Sequence, residues 1–310
     1  MITTITLNPA IDRTIILDSF QHGSVNRVKS VREDMGGKGI NVAKVLQSLG
    51  QDACATGFIG EKNSKYVQSL LMDEKLKNDF IIVEGQTRLN TKIVEISTKL
   101  TTDINEIGFH ISQEQLGSLE ELIVKYAKQS ELLVFSGSIP QGMPSDIYNR
   151  LLSIAAPFTK TALDADGAIL LEGLKASPYI IKPNIHELEN AISRKLNTHE
   201  EIKEAARELI RDYNIGYVLV SMGGDGSILV SRDQALFAKA LKVEVKSSVG
   251  AGDSMLAGFI YGLMNQDFKL NEALAYATAC GALAVGQEGT QTLKKEDVVS
   301  LIKQVEINIF

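Results

Sequence analysis

The chain has 310 residues, of which 44% are hydrophobic and 23% are charged, as in an ordinary globular protein. This length predicts one α/β domain over residues 1–310. A net charge of −6 argues against a general nucleic-acid binder, which needs basic surface to neutralise phosphates, but it allows a small anionic substrate. No apolar run approaches the roughly 20 residues of a membrane span, so we expect a cytoplasmic protein without membrane contact.

Short β-rich runs alternate with amphipathic helical stretches along the first two thirds of the chain. The strands are predicted at residues 2–7, 53–59, 131–135, 161–163, 179–181 and 217–220. The helices are predicted at residues 39–49, 64–75, 113–128, 144–154, 185–193 and 199–213, with three more at 251–264, 271–285 and 295–305. This alternation predicts an α/β fold with a doubly wound, mostly parallel sheet.

Two insertions, at about residues 12–34 and 87–107, break this alternation. They contain β-patterned segments at residues 13–17, 25–31 and 92–97, of which the last alternates clearly between apolar and polar side chains. Such alternation is typical of strands with one covered face and one open face. We therefore predict a small separate β-sheet, which serves as a lid over the site, as a dimer surface, or as both.

Small, polar and acidic residues follow each predicted strand of the main sheet. Ligands of open α/β sheets bind beyond the carboxyl ends of the strands, so these residues are expected to share one site. They include Asp12, Ser138, Asp164, Lys182, Asn184, Ser221, Gly223 and Gly226.

The segment Gly250-Ala251-Gly252-Asp253 stands at the start of a predicted helix. One interpretation is a helix start with an acidic residue that favours the dipole. The other is enzymatic: the glycines let an anion approach the free backbone N–H groups, and Asp253 accepts a hydroxyl proton beside it. The segment alone does not decide between them.

The segment Gly36-Gly37-Lys38-Gly39-Ile40-Asn41 resembles a phosphate loop only superficially. It lacks the Walker spacing and the dinucleotide-binding glycine pattern. Two glycines before a cation and a helix still make a place for a substrate on the backbone. The alternative interpretation of Lys38 is a solvated lysine at a helix start.

Asn184 and Glu187 are three residues apart and share one face of a helix start. Their oxygens suit a hydrated Mg²⁺ held against the phosphates of a nucleotide. The alternative is a capping box, in which the two side chains cap the helix.

Arg27, Lys38 and Arg88 are the cations in or beside the irregular segments. Arginine binds phosphate through two parallel hydrogen bonds. Each cation alone is typical of a surface, but together they suit the phosphate of a substrate.

These motifs make the chain similar to the PfkB (ribokinase-like) sugar kinase family over essentially its whole length. The resemblance depends on two signatures in the family's order and at about its separation, 36–43 and 248–254, and on Asn184-x-x-Glu187. It departs from close relatives at Glu61, where they usually carry a second glycine, and at Ile107, where a proline often precedes the glycine.

The resemblance implies a role for each matching residue. Asp253 would be the catalytic base, and Gly250, Ala251 and Gly252 the anion hole. The substrate set would comprise Asp12, Arg27, Gly37, Lys38, Asn41, Arg88, Asn90 and Ser138. The nucleotide and metal side would comprise Lys182, Asn184, Glu187, Ser221, Gly223, Gly226 and Ser248, with magnesium bound indirectly through water or phosphate.

The resemblance also implies an activity: transfer of the γ-phosphoryl of ATP, with Mg²⁺, to the 6-hydroxyl of D-fructose 1-phosphate. Tagatose 6-phosphate is the alternative substrate, and a non-catalytic sugar-phosphate- or nucleotide-binding regulator on the same fold is a remote alternative. The family's lids often pair between subunits, so a homodimer through the small sheet is expected.

Overall fold

A computed structural model describes residues 1–265, 267–287 and 289–310. Its strands are β1 Ile2–Thr6, β2 Ala10–Leu17, β3 Ser30–Gly36, β4 Ala53–Gly60, β5 Lys77–Val83, β6 Arg88–Glu95, β7 Thr101–Asn105, β8 Leu132–Ser136, β9 Lys160–Asp164, β10 Ile180–Ile181, β11 Tyr217–Ser221, β12 Ser227–Val230, β13 Ala235–Ala238 and β14 Ile307–Ile309. Its α-helices are α1 Lys38–Ser48, α2 Ser64–Asp73, α3 Gln113–Ala127, α4 Ile147–Ala155, α5 Gly167–Leu174, α6 Ile185–Ile192, α7 His199–Tyr213, α8 Ala251–Met264, α9 Leu270–Val285 and α10 Lys295–Ile302.

The large sheet has the strand order β14-β13-β12-β11-β10-β9-β8-β1-β4-β5. Seven neighbouring strands of this sheet, in the order β11-β10-β9-β8-β1-β4-β5, pair in parallel, while β12, β13 and β14 add an antiparallel edge. The chain builds outward from β1 in both directions, which makes the gap between β1 and β8 the point where strand order reverses. A ligand site is expected beyond the strand ends there. The predicted doubly wound, mostly parallel sheet is confirmed.

Helices cover both faces of this sheet because both faces are apolar. On one face α1, α8 and α9 bury side chains such as Ile40, Leu46 and Phe259. On the other face α3 to α7 bury side chains such as Tyr148 and Leu188. Each fully buried large side chain contributes about 1.5–3 kcal/mol, so the two layers hold the strand ends firmly in place. None of the described helices combines the length and apolar composition that crossing a bilayer requires.

The small sheet has the order β3-β2-β6-β7 and is built from the two predicted insertions. The register places Asp12 of β2 opposite Asp34 of β3 and Asn90 of β6. The side chains of these three residues therefore share one face of the sheet.

The predicted strand at residues 25–31 is wrong over residues 25–29, because β3 begins only at Ser30. The side chain of Asn26 accepts from Gln21 N at 2.8 Å and donates to Gln21 O at 2.9 Å. These bonds close a loop of residues 18–29, and such local side-chain bonds compete with strand pairing.

Candidate active site

A cavity of about 500 Å³ lies between the small sheet and the carboxyl edge of the large sheet. The small sheet lines it with Asp12, Thr14, Asp34, Arg88, Asn90, Lys92, Asp103 and Asn105. The body lines it with Gly37, Lys38, Asn41, Asp164, Lys182, Asn184, Glu187, Ser221, Ser248, Gly250, Gly252, Asp253 and Thr290. Most of the site residues predicted from the sequence thus line one cavity.

Asp253 lies in the first turn of α8 and is 6% exposed. Its Oδ2 accepts a 2.8 Å hydrogen bond from Nδ2 of Asn41, on α1. Burial, and then repulsion from Asp164, raises the pKa of Asp253 to about 6, although Asn41, Lys38 and Lys182 oppose the change. A carboxylate with a pKa near neutrality is suited to accept a proton from a hydroxyl.

The turn before α8 leaves room for an anion beside Asp253. Gly250 caps the helix with φ at 75°, a conformation that favours glycine. A Cβ on Gly252 would lie 3.1 Å from Nζ of Lys182, so the ammonium packs against the glycine turn. First-turn N–H groups lack intrahelical acceptors, so they point at this space. Ala251 belongs to the same turn, and its own N–H donates weakly to Ser248 O at 3.4 Å.

Asp164, at the end of β9, holds two lysines close to Asp253 and the glycine turn. Its Oδ1 lies 3.2 Å from Nζ of Lys38, and its Oδ2 lies 3.5 Å from Nζ of Lys182. Burial would raise the pKa of Asp164, but the two ammonium groups outweigh it and hold that pKa below its usual value. Each ammonium group keeps N–H donors beyond those that face Asp164, which suits a transferring phosphoryl group.

Asp164 was predicted at a strand end but without a role. The signal was an aspartate directly after a predicted buried strand, in the same position as Lys182 after the next strand. Lys38 is not a freely solvated lysine. Burial would lower its pKa, yet Asp164, Asp253 and Glu187 together raise that pKa above its usual value.

Arg88, at the start of β6, turns its guanidinium toward the cavity. Its Nη2 donates to Asn8 O at 3.0 Å and to Ser138 Oγ at 3.4 Å, which brings Ser138 beside the site although it does not line the cavity. Arg88 has no ion pair with any described residue, and its Nε is buried without a partner among them. Burial lowers the pKa of Arg88, so an anion here would relieve an unfavourable desolvation.

Asp12 and Asn90 lie side by side next to Arg88. Nδ2 of Asn90 donates to Oδ1 of Asp12 at 3.2 Å, and Oδ1 of Asn90 is buried without a partner in the described part of the chain. Burial raises the pKa of Asp12, with the Asn90 bond acting against it. Carboxylate and amide oxygens in this arrangement suit the hydroxyl groups of a sugar.

Asn184 and Glu187 form a capping box at the start of α6. Oδ1 of Asn184 accepts from Glu187 N at 2.9 Å, and Oε2 of Glu187 accepts from Asn184 N at 2.8 Å. The capping interpretation is therefore confirmed. Within residues 1–265, 267–287 and 289–310 no cluster of three metal-ligating side chains occurs, so a cation here would bind largely through water or phosphate oxygens.

The predicted nucleotide residues divide into two groups. Ser221 and Ser248 line the cavity, whereas Gly223 and Gly226 do not. Gly226 has φ at 101°, and a Cβ there would lie 2.1 Å from Ala238 O. A close backbone approach therefore requires this glycine.

Arg27 lies apart from the other predicted residues. It is exposed in the loop of residues 18–29 and does not line the cavity of its own chain. Its predicted contact with a substrate phosphate stays a prediction.

The chain is similar to one protein family and to enzymes of one name over nearly its whole length. A family model described as pfkB family carbohydrate kinase matches residues 5–297. The 1-phosphofructokinase of Xanthomonas campestris is 40% identical over 281 residues, which cover 89% of this chain and 88% of that protein. The 1-phosphofructokinase of Escherichia coli K12 is 34% identical over 310 residues, which cover 100% and 98% of the two chains.

Solved structures share the whole architecture. Phosphofructokinase-2 from Escherichia coli, in complex with potassium, superimposes with a TM-score of 0.91 at 26% identity, covering 98% of each chain. A putative phosphofructokinase from Staphylococcus aureus gives a TM-score of 0.87 at 31% identity, covering 100% of this chain and 99% of the other.

Proposed function

The chain belongs to the pfkB family of carbohydrate kinases, and from that premise we propose that it transfers the γ-phosphoryl of ATP to the 6-hydroxyl of D-fructose 1-phosphate. The products are fructose 1,6-bisphosphate and ADP. The observation that carries the proposal is the buried Asp253 carboxylate beside the glycine turn and two lysines. The substrate is the one named for relatives that align over nearly the full chain.

The geometry supports Asp253 as the base. The sugar hydroxyl would give its proton to the carboxylate of Asp253 as its oxygen attacks the γ-phosphorus. The N–H groups of Gly250 to Gly252, with Lys38 and Lys182, would stabilise the charge on the transferring group. The leaving oxygen would depart with ADP. Because phosphoryl transfer needs little covalent chemistry from the protein, positioning and charge account for most of the catalysis.

The small sheet would orient the sugar phosphate. Arg88, with Ser138, offers donors to the phosphate, and its lack of an ion pair among the described residues supports that role. Asp12 and Asn90 would bind the sugar hydroxyl groups that lie between the phosphate and the reacting hydroxyl. The phosphate and the reacting hydroxyl would then lie at opposite ends of the sugar.

We further propose that Mg²⁺ enters with the nucleotide. Asn184 and Glu187 use part of their oxygens on each other, so they suit a hydrated ion that the nucleotide phosphates also ligate. The ion would neutralise charge on the β- and γ-phosphates. Ser221 and Ser248, which line the cavity, would border the nucleotide, and Gly223 and Gly226 would shape the turn that follows Ser221.

The small sheet also supports a homodimer. Val25, Val28, Val31 and Ile104 are exposed on it or on its loop, and exposed apolar side chains in one region favour association. We propose that two lids pair there. Arg27, on the same loop, would then face the second subunit rather than the cavity of its own chain.

A coupled ADP-release assay tests the substrate. Purified protein receives MgATP with fructose 1-phosphate, tagatose 6-phosphate or fructose 6-phosphate, the last because a neighbouring structure was solved with it. We expect the highest kcat/KM with fructose 1-phosphate. A higher value with either other sugar reassigns the substrate, and no turnover with any of them favours a regulator on the same fold.

A further inference from the structure

A second, much smaller cavity adjoins the active-site cavity, with which it shares Asn41, Gly250 and Thr290. It measures about 10 Å³ and is lined by Asn41, Lys44, Gly250, Ser254 and Thr290, among others. This is close to the space that one water molecule occupies.

Two buried oxygen atoms on residues that line this cavity have no hydrogen-bond partner among the described residues. They are Oδ1 of Asn41 and Oγ1 of Thr290, on residues that are 7% and 9% exposed. Nζ of Lys44 lies 2.9 Å from Oε1 of Glu74, an ion pair that leaves further N–H donors of the buried ammonium free. Each buried polar atom left without a partner costs about 1–3 kcal/mol, so two on one cavity require an explanation.

We propose that one water molecule bound in this cavity joins Lys44 and Thr290 to Asn41 and thereby fixes the amide that holds Asp253. The donors and acceptors match a water. Lys44 can only donate, Oδ1 of Asn41 can only accept, and the Thr290 hydroxyl does either. The adjacent ammonium disfavours a cation, and the volume excludes a larger ligand.

The bound water has a consequence for the orientation of Asn41. With Oδ1 held by the water, Nδ2 faces Oδ2 of Asp253, as the 2.8 Å bond requires. Without it, the amide is free to turn its oxygen toward the carboxylate. Lys44 and Thr290 are therefore positioning residues, which act on the base through the water and Asn41, and Thr290 also lines the active-site cavity. This step rests on the proposed role of Asp253.

Loss of the Asn41 hydrogen bond should raise the pKa of Asp253. That bond lowers the pKa of Asp253, as do Lys38 and Lys182, whereas Asp164 raises it. On the other side, Lys44 faces Glu74 and Asp12. A variant that loses only the water leaves Lys38, Lys182 and Asp164 in place. The pKa of Asp253 then rises, and the acidic limb of the kcat profile moves to higher pH.

Thr290→Val tests the proposal, with Thr159→Val as its control. Both remove one hydroxyl, but Thr159 Oγ1 donates to Ser130 O at 2.7 Å, and Thr159 lines neither cavity. We expect Thr290→Val to lower kcat about tenfold, the size of one lost charged hydrogen bond, with an unchanged KM for ATP. Its acidic limb should move up by about one pH unit. Thr159→Val should match the wild type in all three.

A crystal structure at high resolution supplies the direct readout. We expect density for a water within hydrogen-bond distance of Lys44 Nζ, Asn41 Oδ1 and Thr290 Oγ1 in the wild type, and its loss in Thr290→Val. Lys44→Met should reproduce the kinetic changes, and Lys44→Arg, which keeps a donor, should restore part of kcat. Direct contact between Lys44 and Asn41 without density in between would overturn the proposal, as would equal kinetics of the two threonine variants.

The electron density of the water does not depend on which sugar phosphate is the substrate. The crystal structure therefore tests the water independently of the proposed function. If the wild type prefers another sugar phosphate, the same kinetics are measured with that sugar. If Asp253 is not the base, Thr290→Val loses the water while kcat stays unchanged, which overturns the positioning role alone.

Discussion

Nδ2 of Asn41 donates a hydrogen bond of 2.8 Å to Oδ2 of Asp253, across 212 positions of the chain. The bond joins the two glycine-rich motifs, one at the start of α1 and the other at the start of α8. Helices α1 and α8 pack together on one face of the large sheet, so their N-terminal ends meet at its edge. Asp253, the proposed base, is thus held by a residue that itself belongs to the predicted substrate set.

Asp253→Asn should lower kcat by about 10²–10⁴-fold, because the amide cannot accept the proton while its shape is unchanged. The dissociation constant for ATP should stay within a few-fold of the wild type. Steady-state kinetics and calorimetric titration measure the two quantities. Asp297→Asn is the control, since Asp297 is also an acidic residue in the first turn of a helix, but on α10. Near-normal turnover in Asp253→Asn would leave Asp253 only a helix-dipole role.

The pH profile should show an acidic limb near pH 6, because Asp253 has a raised pKa of about 6 and must be ionised to act. Asp164→Asn removes the carboxylate that repels it, so the limb should move to lower pH. Activity should rise with pH through this limb, whereas the contribution of Asp253 to stability should fall. The folded state binds the Asp253 proton more tightly than the unfolded chain, so this group's contribution to the free energy of unfolding falls as pH rises from about 3.8 to 6. A limb that moves upward in Asp164→Asn would contradict the prediction.

The sequence predicts the parallel part of the fold well because buried parallel strands are continuous apolar runs. The bounds of α7 and α8 agree with the prediction. It does not predict the antiparallel edge of β12, β13 and β14, whose short strands have no distinctive pattern. Nor does it predict β5 or the short helix α5, which packing rather than periodicity stabilises.

The site divides in the same way. Residues that follow strands were predictable, because the carboxyl ends of parallel strands converge. Lys92, Asp103 and Asn105 were not, since their place in the cavity depends on the register of the small sheet. Thr290 carries no local signal, because it lies in a loop after α9 that only tertiary contacts bring to α8.

Arg88→Ala should raise the KM for the sugar phosphate by about 10–100-fold, the equivalent of roughly 1.5–3 kcal/mol for hydrogen bonds to a charged group. The KM for ATP should change little, because Arg88 lies on the small sheet beside Ser138. Initial-rate kinetics with each substrate varied in turn measure both constants. Lys99→Ala is the control, as Lys99 is an exposed cation in the turn between β6 and β7. An unchanged sugar KM would remove Arg88 from the phosphate site.

Val31→Asp should convert the expected homodimer into a monomer, because a charge would be desolvated if the lids paired there. Sedimentation equilibrium gives the mass at several concentrations. Ile82→Asp is a matched control, since Ile82 and Val31 are both 50% exposed but Ile82 lies on β5 of the large sheet. A Val31→Asp dimer, or a monomeric wild type, would refute pairing through the small sheet.

Gly226→Ala should destabilise the fold rather than weaken nucleotide binding directly. Its φ of 101° is strained for alanine, and the new Cβ would lie 2.1 Å from Ala238 O, so β12 and β13 would have to separate. The strain alone costs about 1–3 kcal/mol. For a chain of this size each kcal/mol lowers Tm by about 2 °C, so a drop of several degrees is expected by calorimetry. Gly224→Ala is the control, because a Cβ there meets nothing within 4 Å and its φ is not positive. If Gly226→Ala keeps its Tm and only raises the KM for ATP, the glycine serves the nucleotide, as the family resemblance implies, and the close approach to Ala238 is not what requires it.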